Sequence, residues 1–216
     1  MTAQKYELIV FDLDGTLLDT SRGIYNSVRF AEKSMNFEPI PEKKLKLFVG
    51  PPPKDMYKKV YGVDEETAIQ ATVFHRQYSK EKAIFEASPY DGIFNILTYL
   101  KDNGYKLAVA TLKGQKIAET ILNHYDLANF FDAIVGMDIG ETFTKAKTIL
   151  EAKRRTNTYG DCLLVGDTVY DLDGAKELRM DFIACTYGFG FCPNDVINYD
   201  RLRGCISAPI DLSKLL

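Results

Sequence analysis

The chain has 216 residues, 46% apolar and 26% charged, and its 27 basic and 30 acidic residues leave a net charge of −3. This composition excludes disordered, collagenous and low-complexity classes, and the length allows between one and two domains that bury roughly 70% of the unfolded surface. No run of five or six like charges occurs, which argues against a polybasic surface for nucleic acid or membrane.

Residues 6–11 (YELIVF) read as a short strand that stops at Asp12-Leu13-Asp14-Gly15-Thr16. Thr20 and Ser21 are N-cap candidates for a helix carrying Ile24, Val28, Ala31 and Met35 at helical spacing, ended by Pro39 and Pro41. From there to residue 85 the chain reads as helical, over 45–48, 56–61 and 64–85, with Asp64 as an N-cap and Gly50-Pro51-Pro52-Pro53 and Gly62-Val63 as breaks. After Pro89 the pattern changes to alternation. Helix 92–102 leads to strand 106–110, helix 114–125 to strand 133–135, helix 145–155 to strand 162–165, and helix 171–178 to strand 182–185.

Alternating strands and helices imply parallel βαβ units, hence an α/β fold with a doubly wound, mainly parallel Rossmann-like sheet. Residues 1–16 and 86–216 are expected to form this core. A structureless loop of about 70 residues is implausible in a compact chain, so 17–85 is expected to be a second, smaller helical domain.

The four cysteines, Cys162, Cys185, Cys192 and Cys205, contain no CxxC pair, and two histidines cannot complete a zinc pattern. Reduced thiols and a cytoplasmic location are expected. Lys5 and Glu7 precede a short apolar run that Asp12 ends, and no 18-residue apolar stretch occurs, so neither a leader nor a membrane span is expected.

In open α/β sheets, ligands bind beyond the carboxyl ends of the strands. There the sequence places Asp12 and Asp14 after the first strand, Thr111 and then Lys113 after the second, Lys145 opening a helix, and Asp167, Thr168 and Asp171 after the fourth. Two like charges ~4 Å apart repel by about 4 kcal/mol at an effective dielectric near 20, so a cation is expected among these carboxylates. A hard cation that accepts oxygen ligands and phosphate oxygens fits, and Mg²⁺ is the expected cofactor. In an extended segment, residues i and i+2 point to the same side, so Asp12 and Asp14 can face one reacting group. One carboxylate can attack phosphorus while a second protonates the leaving oxygen and later takes a proton from water. Gly15 lets the backbone turn and offer N–H groups to phosphate oxygens, with Lys145 and Thr111 to neutralise and hydrogen-bond them.

Asp12-Leu13-Asp14-Gly15-Thr16-Leu17-Leu18-Asp19-Thr20 resembles the first motif of the haloacid dehalogenase superfamily, in its phosphatase branch. Val109-Ala110-Thr111-Leu112-Lys113 resembles the second motif, Lys145 the third, and Gly166-Asp167-Thr168-Val169-Tyr170-Asp171 the fourth, in the same order along the chain. Tyr25-Asn26-Ser27-Val28, Val49-Gly50-Pro51-Pro52, His75-Arg76-Gln77-Tyr78 and Tyr187-Gly188-Phe189-Gly190 resemble the phosphoglycolate phosphatase-like and 5′-nucleotidase-like members, which have a small helical cap. Two positions depart from that branch: Thr-Leu-Lys stands where Thr-Ser-Lys or Thr-Asn-Lys is common, and Tyr90-Asp91-Gly92 where Tyr-Pro-Gly is usual.

The resemblance implies a Mg²⁺-dependent phosphatase working through an aspartyl-phosphate. It makes Asp12 the nucleophile and a metal ligand, and Asp14 the acid/base, giving its carbonyl to the metal. Asp167 and Asp171 complete the metal set. Thr111, Leu112, Lys145 and Gly15 bind the phosphate, with Lys147 as a rival for the lysine. The expected partner is a small phosphorylated metabolite such as phosphoglycolate, a nucleoside monophosphate or a sugar phosphate. No nucleic acid or membrane partner is expected, and the protein is expected as a monomer or homodimer. Alternatives are a phosphomutase of the β-phosphoglucomutase type, a pyrophosphatase, or a phosphoryl-accepting signalling module.

Each residue also has a plainer reading. Asp12 and Asp14 could be a polar turn, Asp167 and Asp171 helix caps, and Lys145 a solvated helix residue. The four-part order favours chemistry over each of these. Gly188-Phe189-Gly190 lacks the spacing of a dinucleotide loop, and no GxxxxGK[ST] is present.

Overall fold

The computed structural model describes residues 6–140 and 142–216. In chain order its elements are β1 (Leu8–Phe11), β2 (Leu18–Asp19), α1 (Ser21–Met35), α2 (Glu42–Leu45), α3 (Pro53–Tyr61), α4 (Glu65–Glu81), β3 (Ser88–Pro89), α5 (Ile93–Asp102), β4 (Lys106–Gly114), α6 (Gln115–His124), β5 (Ala133–Met137), α7 (Lys145–Arg155), β6 (Cys162–Gly166), α8 (Val169–Leu178), β7 (Asp181–Cys185) and β8 (Leu202–Ile206). Two compact units emerge, one of residues 6–19 with 89–216 and one of 20–88. The division lies three residues beyond the expected 17–85. Leu17 and Leu18 still belong to the first unit, because Gly15 N–H donates to the Leu18 carbonyl at 2.8 Å and Tyr90 N–H to that of Leu17 at 3.2 Å.

The first unit is built on a six-stranded sheet of order β5-β4-β1-β6-β7-β8, in which every neighbouring pair is parallel. From β1 the chain winds out through β4 to β5, then returns to β6, β7 and β8 on the other side, which makes the sheet doubly wound. β1 is buried on both faces and is accordingly apolar throughout. Side chains alternate between the faces: Val10, Ala110, Val135, Leu164 and Ala184 join Ile149 and Ala152 of α7 and Leu172 and Ala175 of α8 in one core.

The structure corrects two elements expected from the sequence and adds strands that the sequence pattern does not predict. β4 runs on to Gly114 rather than stopping at Ala110, with a shift in its register against β5 between those two residues, so Thr111, Leu112 and Lys113 lie within the strand. The sequence pattern does not predict β8: its exposure alternates, and Arg203 and Gly204 break its apolar run. The two-residue strands β2 and β3 pair as a separate ribbon. The helix read over 64–85 ends at Glu81, where Lys82 leaves helical geometry before a short 3₁₀ turn over Ala83–Phe85.

The second unit comprises α1–α4. Val28, Ala31, Leu45, Phe48, Met56 and Tyr57 form its core together with Ala68 and Ala71 of α4. Asp64 caps α4 by accepting from Thr67 N–H at 2.8 Å, whereas Thr20 makes no side-chain cap bond to α1. Glu32 is buried in this unit but satisfied by Ile40 N–H at 2.8 Å, the Tyr61 hydroxyl at 2.6 Å and Arg29 at 2.7 Å. Among the described residues no helix is long and apolar enough to cross a membrane.

Candidate active site

β1 is the point where the winding reverses, with β4 on one side and β6 on the other. Its carboxyl end is therefore the expected place for a ligand. Asp12 N–H donates to the Val165 carbonyl of β6 at 2.9 Å, which fixes the backbone there. The Asp12 side chain is buried, and its Oδ1 accepts from Lys145 Nζ. Two residues on, Asp14 accepts instead from Lys113 Nζ, at 2.9 and 3.1 Å to its two oxygens. Gly15 then turns the chain with φ +88°, a conformation that suits glycine.

The loop between β6 and α8 supplies the other two aspartates. Asp167 is fully buried; its Oδ1 accepts from the Thr16 hydroxyl at 3.0 Å and its Oδ2 from Phe189 N–H at 2.8 Å. Asp171 uses its two oxygens differently. Oδ2 accepts from Thr168 N–H at 2.9 Å and the Thr168 hydroxyl at 2.7 Å, while Oδ1 pairs with Lys145 Nζ at 2.6 Å. Helix capping and a place in the acidic cluster are thus both realised in one side chain.

Lys145 opens α7 behind the Thr144 N-cap. It is 5% exposed and bridges Asp12 and Asp171. Lys147 lies elsewhere, its Nζ donating to the Thr142 carbonyl at 3.0 Å on the exposed side. Lys145 shares its helix face with buried Ile149 and Ala152, the face that packs on the sheet. Thr111 is buried in β4, with its Oγ1 accepting from Lys113 N–H at 3.1 Å, and Leu112 is half-buried beside it. Lys113, placed by the sequence beyond the strand end without a role, is brought onto Asp14. A longer β4 would have been the signal.

The cluster carries more negative than positive charge. Burial, together with the nearby Asp171 and Asp14 carboxylates, pushes the Asp12 carboxyl up to about 7 despite Lys145. Burial, then Asp171 and Asp12, raise Asp167 well above the carboxylate range. Burial alone would disfavour the Lys145 ammonium, but Asp12 and Asp171 outweigh it and hold its pKa above normal. Asp12, Asp167 and Asp171 each offer an oxygen, and these oxygens lie within 4.8 Å of one another. Three buried carboxylate oxygens, with no histidine or thiolate among them, match the donor preference of a hard divalent cation. The acidic cluster can therefore hold a metal.

A family model of haloacid dehalogenase-like hydrolases matches residues 9–185. The chain is similar to a 5′-nucleotidase of Pseudomonas aeruginosa, 33% identical over 190 residues that cover 87% of this chain and 86% of the relative. It is also similar to the tyrosine-protein kinase PtkA of Mycobacterium tuberculosis, 33% identical over 186 residues that cover 85% of this chain and 63% of that relative. Among solved structures, a predicted phosphatase from Clostridium acetobutylicum superposes with a TM-score of 0.88 at 38% identity, covering 98% of both chains.

Proposed function

We propose, because this chain belongs to the haloacid dehalogenase-like hydrolase family, that it is a Mg²⁺-dependent phosphatase hydrolysing a small phosphate monoester through a phosphoryl group carried on Asp12. The observation that carries this reading is the juxtaposition of Asp12 and Lys145 inside a buried cluster with Asp167 and Asp171, with Asp14 two residues away. A carboxylate among like charges is held there by one ammonium, an arrangement that favours an incoming electrophilic phosphoryl group with its own counter-cation.

In the first step an Asp12 oxygen attacks phosphorus and the bond from phosphorus to the ester oxygen breaks. Asp14 delivers its proton to that leaving oxygen. In the second step Asp14 takes a proton from water, the water oxygen attacks phosphorus, and the bond to Asp12 breaks, releasing inorganic phosphate. Lys145 and Thr111 hold the non-bridging phosphate oxygens, and the backbone around Leu112 and Gly15 orients the group. When bound to Asp12, Asp167, Asp171 and the Asp14 carbonyl, Mg²⁺ supplies charge neutralisation of the phosphoryl oxygens.

Substrates of the phosphoglycolate or 5′-nucleotide kind suit the family resemblance, and the sequence relative named a 5′-nucleotidase supports the latter. The test is phosphate release from phosphoglycolate, nucleoside monophosphates, sugar phosphates and pyrophosphate, with and without Mg²⁺. Mg²⁺-dependent release from a monoester is expected. Phosphoryl transfer from ATP to a tyrosine peptide, with no monoester hydrolysed, would contradict the proposal, as would activity dependent on a bisphosphate activator.

A further inference from the structure

The Tyr187-Gly188-Phe189-Gly190 segment after β7 has the wrong spacing for a dinucleotide loop, and the chemistry above leaves it without a role. We infer that this loop is the positioning element for Asp167: its main chain, not its side chains, aims that carboxylate into the cluster and thereby sets the affinity for the divalent cation. The inference rests on the metal-binding part of the proposed function.

Two main-chain contacts carry it, beside a third from Thr16 on the other oxygen. Phe189 N–H donates to Asp167 Oδ2 at 2.8 Å, and Phe191 N–H donates to the Asp167 backbone carbonyl at 2.9 Å, so the loop grips both the side chain and the main chain of one residue. The other carboxylate oxygen, Oδ1, accepts from the Thr16 hydroxyl at 3.0 Å. One donor on each oxygen fixes the plane of the carboxylate and leaves each oxygen a further lone pair, and one Asp167 oxygen lies within 4.8 Å of oxygens of Asp12 and Asp171.

The approach that allows this is too close for any side chain. A Cβ on Gly188 would lie 2.4 Å from both Asp167 Cβ and the Gly15 carbonyl oxygen. A Cβ on Gly190 would lie 2.5 Å from the Asp167 carbonyl oxygen, and one on Gly15 would lie 2.2 Å from Asp167 Oδ2. Glycine at these positions is explained by backbone laid directly against the aspartate. Groups that hydrogen-bond a metal-binding carboxylate typically change metal affinity about 10–100-fold when lost.

The test has two arms, neither of which uses turnover. In the first, Mg²⁺ binding to the whole protein is measured by calorimetry for wild type and Gly188→Ala. At least tenfold weaker binding by the variant is expected; equal affinity overturns the loop's role. In the second, amide hydrogen exchange is followed in Asp167→Ala without metal, which tests the contact even where Gly188→Ala fails to fold. The Phe189 amide is expected to lose protection while the Phe191 amide keeps it; an unchanged Phe189 amide overturns the proposal. Intact Mg²⁺ binding that weakens in Gly188→Ala, in a protein releasing no phosphate, would sink the proposed function and leave the loop's role standing.

Discussion

Lys113 Nζ sits 2.9 and 3.1 Å from the two carboxylate oxygens of Asp14, with the two side chains only 18% and 12% exposed. In the proposed second step Asp14 takes a proton from water as a carboxylate, and an ammonium on both of its oxygens favours that form and leaves it little freedom to swing away. Lys113→Met is therefore expected to lower kcat by up to about 100-fold with a smaller change in KM, and Lys113→Arg to recover part of the loss. Steady-state kinetics on the preferred monoester checks this. Unaltered kcat in Lys113→Met would remove Lys113 from the account.

The acidic cluster makes a prediction about metal removal. Mg²⁺ that binds the folded protein alone raises its stability by about 2.7 kcal/mol at a hundredfold excess over Kd. For a chain of this size that corresponds to a rise in Tm of about 5–10 °C. Asp167→Asn removes a charge from the three-oxygen set, so its Tm is expected to stay flat under the same addition. Thermal unfolding with EDTA and then with excess Mg²⁺ measures both.

Asp181, the first residue of β7, is 2% exposed and works at the other end of the sheet as a structural anchor. It accepts from the Tyr6 hydroxyl at 2.6 Å and from Arg203 at 2.6 and 2.7 Å, and pairs with Arg201 at 2.9 Å. Burial by itself would raise its pKa, but the bonds from Arg203 and Tyr6 outweigh burial and hold the carboxyl well below its ordinary value of 3.8. A depressed folded pKa means the unfolded chain takes up the proton first. The stabilisation is full well above pH 4, begins to fade near the ordinary value, and is lost only as pH falls on through the depressed folded value. Asp181→Asn is expected to cost about 2 kcal/mol at pH 7 and less near pH 3, read by urea unfolding at both values.

Much of the site was legible because strand ends and helix faces follow simple periods. The resemblance favours Lys145 over Lys147 because Ile149 and Ala152 then take the positions of the family's helix; Lys145 lies buried with those two residues, while Lys147 donates to the Thr142 carbonyl on the exposed side. α7 matches the range read from the sequence at both ends. The apolar run of β4 ends at Ala110, where the sequence ends the strand, yet pairing with β5 carries it on to Gly114. That truncation hid the Lys113 contact to Asp14. β8 leaves little trace in the sequence because an edge strand needs only one apolar face, and Arg203 and Gly204 interrupt it. Tertiary partners such as Phe189 N–H on Asp167 leave no periodic trace, since they join residues 22 apart through a loop main chain.

In the proposed reaction, phosphorus becomes bonded to Asp12. The most direct measurement of that bond is rapid acid quench of wild type during turnover of a ³²P-labelled monoester that it hydrolyses, followed by peptide mapping of the acid-stable label. The account predicts label on the peptide containing Asp12, none in Asp12→Asn, and loss of phosphate release in that variant. Phosphate release that persists in Asp12→Asn, or label on a different residue, would contradict it.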